Sequence, residues 1–118
     1  MELTLNFYED PGHGWLQVHH SHIKELNLQD IITPYSYIDE RYVYLEEDLD
    51  ACVFMQKAKA AGYTITCTDI HQEQTPIRRM RAYDSSFLHY AFYRVTLITW
   101  NEISFHTHTR WDNYSQRE

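Results

Sequence analysis

Two histidines one residue apart, His106 and His108, are the first side chains in this sequence that could do chemistry. On a strand, positions i and i+2 point to one face, so the pair could share a zinc ion. A third ligand would have to come from elsewhere, for instance His89, Asp112 or the His19-His20-Ser21-His22 segment. Such a centre would suit a small metal-dependent hydrolase or nuclease. An exposed polar strand gives the same pattern, however, and no HExxH, GxSxG, Walker A or dinucleotide fingerprint accompanies it. Cys52 and Cys67 could act as thiol nucleophiles beside a histidine base, but both lie in apolar segments and read as small buried hydrophobes. No catalytic residue, metal ligand or cofactor is therefore assigned, and binding is favoured over catalysis.

Asp10-Pro11-Gly12-His13-Gly14-Trp15 admits two readings. It is a hairpin turn whose glycines supply positive φ and whose Trp15 enters the core, or a nest of backbone N–H groups for an anion. Turn chemistry favours the first. Arg78, Arg79 and Arg81, with Tyr83 and Tyr90 nearby, form the basic cluster. Arginines can grip phosphates while tyrosines stack on bases. Pairing with the acidic first half of the chain is the stronger expectation.

That acidity is the main signal. Residues 1–50 carry eleven acids and two bases, whereas residues 51–118 carry six acids and eight bases, for a net charge of −7 overall. Asp39, Glu40, Glu46, Glu47, Asp48 and Asp50 interleave with Tyr35, Tyr37, Tyr42 and Tyr44. Glu47 and Asp48 suit a helix N-terminus. If Val43 and Leu45 are core, Tyr42 and Tyr44 face outward beside acids. Exposed tyrosines are low-entropy binding anchors, and surrounding carboxylates would steer a basic protein partner. These ten residues are the candidate partner-binding surface. Direct nucleic-acid binding is disfavoured, because an acidic chain repels phosphates.

The elements that must position these groups follow from periodicity. Residues 2–8 alternate as a half-buried strand, and residues 15–18 return as its hairpin partner. Ser21 is a candidate N-cap for a short helix ending near Leu26 or Leu28. Residues 35–38 and 41–45 flank Asp39-Glu40 as a second hairpin. The clearest helix covers about residues 48–61, with Ala51, Phe54, Met55, Ala58 and Ala61 on one face and Gly62 as its C′ residue. Residues 63–68 form a β-branched strand burying Ile65 and Cys67. Residues 72–86 read as loop, and residues 87–100 and 103–110 as a closing hairpin. The expected fold is α+β, a mostly antiparallel sheet of short strands and hairpins with one main helix packed on one face.

Composition narrows the class. The 118 residues fit a single domain, 1–118, and an aromatic fraction of 15% with three glycines and three prolines argues against disordered and fibrous classes. No apolar run approaches membrane-spanning length, no signal peptide is visible, and two cysteines make no disulfide framework. A cytoplasmic protein is the expectation.

The strings DPGHGWL (residues 10–16), Ser36-Tyr37 and Val43-Tyr44-Leu45-Glu46-Glu47-Asp48, with Ile77-Arg78-Arg79 and Tyr83, resemble a group of small uncharacterised bacteriophage and mobile-element proteins. The likeness covers about residues 3–83, leaving 84–118 as a C-terminal extension. It implies expression in a bacterial host's cytoplasm and assigns no chemistry. In that setting the acidic surface suggests a phage accessory protein that inhibits a host nucleic-acid-handling defence system, of anti-CRISPR or anti-restriction type, by occupying a basic surface. The alternatives are the His106/His108 hydrolase and a phage structural or assembly protein that self-associates, as a homodimer for instance, through an aromatic strand from Phe92 to Trp100.

Overall fold

The computed structural model describes residues 1–91. Six strands form one sheet: β1 (Glu2–Glu9), β2 (Gly14–His19), β3 (Tyr37–Ile38), β4 (Tyr42–Glu46), β5 (Thr64–His71) and β6 (Arg81–Ala82), in the spatial order β5-β1-β2-β4-β3-β6. The β1–β2, β2–β4, β3–β4 and β3–β6 pairings are antiparallel, and β1–β5 is parallel. The fold is α+β, as expected, but the sheet is mixed. Parallelism follows from connectivity, since α2 (Asp50–Ala60) carries the chain from β4 back to the edge beyond β1.

Sheet alternation divides the residues cleanly. Leu5, Leu16, Val18, Ile38, Val43 and Leu45 point to one face and are buried. Against them pack Phe54 and Ala58 of α2, Ile23 of α1 (His20–Glu25), and Leu88 from a helical stretch at residues 85–91. The main helix and the short first helix were both expected, whereas the helical stretch at residues 85–91 was not. Residues 87–91 are helical where a strand was expected, and the rest of that hairpin, with His106 and His108, lies outside the described residues. The expected 72–86 loop holds a 3-10 turn, Pro76–Arg79, and β6.

Local caps depart from the expected ones. His19, not Ser21, caps α1, its Nδ1 accepting the Ser21 N–H at 3.1 Å. Glu46 caps α2 from four residues upstream, its carboxylate accepting the N–H groups of Asp48, Leu49 and Asp50 at 2.9, 3.0 and 3.4 Å. Gly62 ends that helix at φ 98°, where a side chain would be strained. Gly14 does not adopt positive φ; it is glycine because a Cβ there would collide with the Phe7 ring. Cys52 and Cys67 are both exposed, contrary to the expectation that they are core. Cys67 sits on an edge strand, where alternation orients a side chain without covering it.

Candidate functional site

The opposite sheet face carries an aromatic layer. Trp15, Tyr44 and Ile77 are buried there, with Tyr8, Tyr37, Tyr42 and Met80 packed around them. Tyr44 is only 5% exposed, which corrects the expectation that it faces solvent. Its hydroxyl donates to Asp39 at 2.8 Å and accepts from Gln17 at 3.2 Å, and Gln17 in turn accepts from Asn6. Burial, with the Asp39 carboxylate behind it, pushes the Tyr44 phenol above its ordinary range, so it stays a donor.

At the hairpin end of this layer lies a pocket of about 260 Å³, lined by His13, Gly14, Trp15, Tyr35, Tyr37, Glu46, Glu47, Asp48 and Arg78. Trp15 meets Tyr37 edge to face, with centroids 6.2 Å apart, and His13 lies 6.0 Å from Trp15. Tyr35 is 77% exposed. Five of the ten predicted partner-binding residues converge here: Tyr35, Tyr37, Glu46, Glu47 and Asp48.

The other five do not, and three of them have internal work. Asp50 is buried and accepts from the Thr33 N–H at 3.0 Å, the Thr33 hydroxyl at 2.7 Å and the Ser36 hydroxyl at 2.6 Å. Asp39 closes the β3–β4 turn, accepting from the N–H groups of Arg41 and Tyr42. Tyr44 is buried as described. Tyr42 stands half-buried between His19 and Tyr44, and Glu40 is exposed away from the pocket. Glu46 lines the pocket but spends its carboxylate on the α2 cap. Glu47 and Asp48 are exposed, and their carboxylates meet no cation among the described residues.

The cation in the pocket wall is already matched. Arg78 grips Asp10 with two bonds, Nε to Oδ2 at 2.6 Å and Nη2 to Oδ1 at 2.9 Å, while its guanidinium stacks 5.4 Å above Trp15. Asp10 is buried and also accepts the N–H groups of Gly12 and His13, each at 3.0 Å. The backbone nest in the glycine turn is therefore filled by the chain's own carboxylate. Arg78 first, then those backbone donors, hold Asp10 well below the usual carboxylate range. Arg78 thus pairs with the acidic half as expected, whereas Arg81 lies 4.4 Å over the Phe87 ring. Tyr83 is buried with its hydroxyl on the Gln29 carbonyl, so it is not open for base stacking.

No family model, curated protein or solved structure matches this chain.

Among the described residues, no three His, Cys, Asp or Glu side chains are grouped as a metal would require, and no helix is long and apolar enough to cross a membrane. The arrangement offers an aromatic-walled recess with unmatched negative charge at its rim. Trp15, His13 and Arg78 were not anticipated as part of it. The signal was present for Trp15: alternation puts it, with Tyr8 and Tyr37, on the strand face opposite the aliphatic core.

Proposed function

We propose that this chain is a non-enzymatic protein-binding module that recognises a basic partner through the Trp15–Tyr35–Tyr37 pocket and its Glu47–Asp48 rim. The observation that carries the reading is the combination of aromatic walls with two exposed carboxylates that no cation among the described residues answers. An arginine or lysine entering the recess would meet the exposed Tyr35 ring and the half-buried Tyr37 ring and then charge, and both attract a cation. Trp15 is held in place by Arg78 and Tyr37, so ordering the wall costs little on binding. The resemblance to phage and mobile-element proteins supplies the setting. In a bacterial cytoplasm, a basic surface of this kind belongs to machinery that handles nucleic acid. The finer proposal is an accessory protein that inhibits such a host defence system, of anti-CRISPR or anti-restriction type, by covering the groove meant for phosphates.

The test compares the natural protein with the double variant Glu47→Gln, Asp48→Asn as baits in bacterial lysate at low and high salt, with captured proteins identified by mass spectrometry. A basic nucleic-acid-binding protein should be captured by the natural bait at low salt and lost with the variant. Equal capture by both baits would remove the pocket from the interaction.

A further inference from the structure

We infer that the β5 edge pairs with β5 of a second copy of this chain, antiparallel and centred on Cys67, to make one sheet running through a two-fold dimer. The backbone phase comes from two flanking bonds: the Thr64 N–H donates to the Met1 carbonyl and the Gln72 N–H to the Glu9 carbonyl. Even-numbered residues of β5 therefore turn their N–H groups toward β1, in register from Glu2↔Thr64 to Glu9↔His71. Ile65, Cys67, Asp69 and His71 point theirs away from the sheet, and no described strand lies beyond β5.

An edge of eight residues that is open among the described residues is a pairing template unless something blocks it. The usual blocks are charged side chains, above all lysine, with proline and bulges; Thr64-Ile65-Thr66-Cys67-Thr68-Asp69-Ile70-His71 holds no lysine, proline or bulge, and its one carboxylate is Asp69. The occupant an edge requires is another extended strand, and charge selects this chain's own. A two-fold centred on Cys67 sets Ile65 opposite Asp69 of the second copy, Thr66 opposite Thr68, and Cys67 opposite Cys67. No like charges face each other. Ile65 lines a pocket of about 690 Å³ together with Met55, Gln56, Lys59, Gly62, Tyr63 and Thr64. Asp69 of each copy is thereby carried to the rim that bears Lys59 of the other. Neither Lys59 nor Asp69 has an ion-pair partner among the described residues. Symmetry makes this contact twice. The surface is separate from the aromatic pocket, so the two proposals stand independently.

The test uses the full chain. Light scattering across a concentration series should give a dimer, and a short bismaleimide should cross-link it through Cys67, because paired Cα atoms in that register lie about 5.5 Å apart. Cross-linking should survive Cys52→Ser and vanish with Cys67→Ser. Asp69→Lys and Lys59→Glu should each weaken the dimer about three- to tenfold, since two exposed ion pairs are reversed per dimer, and the double charge swap should restore it. Both positions are on the surface, so loss of folding does not confuse the result. A monomer at every concentration overturns the inference. So does a dimer that fails to cross-link at Cys67, or one indifferent to the charge swap.

Discussion

Six of the eleven acids in residues 1–50 divide into two regions that sequence makes look alike. In one, Asp10, Asp39, Glu46 and Asp50 turn inward and bind backbone N–H groups, hydroxyls or Arg78. In the other, Glu47 and Asp48 stand in solvent at the mouth of the aromatic pocket. The difference is one of neighbours. An inward carboxylate sits where the chain turns and leaves donors without partners, so it closes a structural account that would otherwise cost stability. An outward one closes no hydrogen bond or ion pair among the described residues and is available to a partner. Charge alone therefore overstates the surface open to a partner, and the region proposed for binding is two carboxylates wide.

Breaking the inward region should have the largest effect. Asp50 joins the loop at Thr33 and Ser36 to the first turn of α2, and Ser36 Oγ passes the connection on by accepting the Glu46 N–H at 3.0 Å. Asp50→Ala leaves the buried Ser36 hydroxyl and the half-buried Thr33 donors unanswered and should cost about 3 kcal/mol in urea denaturation. Gly14→Ala comes next. The new methyl group would overlap the Phe7 ring, and the shift that relieves it should cost about 2 kcal/mol. An unchanged midpoint for either variant would mean that the turn is looser than described.

Much of this fold was legible in the sequence, for identifiable reasons. β1, β2, β4 and α2 carry strong periodic patterns, and the β3–β4 hairpin is announced by Asp39-Glu40 between tyrosine-rich runs. What escaped notice depends on distant partners. The parallel register of β5 is set by where α2 delivers the chain. β6 exists only because β3 offers an edge to Arg81 and Ala82. Cys67 alternates like a core residue but lies on the sheet's rim. Within the candidate site, Glu47, Asp48, Tyr35 and Tyr37 were readable as acids among tyrosines. That Asp50 and Tyr44 belong to the interior was not, because their donors and cover come from Thr33, Gln17 and Tyr8, far off along the chain.

The Asp10–Arg78 clasp makes a pH prediction. Asp10 has its carboxyl held below the ordinary range in the folded chain, so its contribution is complete above the unfolded value of about 4 and fades as pH falls below it. Asp10→Asn keeps an acceptor for the Gly12 and His13 N–H groups but loses the ion pair. The variant should melt below the natural protein at pH 7, and the two melting curves should draw together as the pH drops under 4. A gap that persists in acid would assign the clasp's value to shape and not to charge.

The smallest effect on stability should come from the outward region, which makes it the sharpest test of the contrast. Glu47→Gln with Asp48→Asn changes no bond described above, since the α2 cap rests on Glu46 and the Cys52 thiol reaches only the Glu47 carbonyl. Stability should stay within about 0.5 kcal/mol of the natural protein. Association with a basic partner should nonetheless slow, and its dependence on salt should flatten, because exposed carboxylates act mainly through steering. Stopped-flow association at two ionic strengths separates the outcomes. A fold unmoved with a slower encounter places recognition in the rim; a fold unmoved with the same encounter leaves these two acids as solubilising charge.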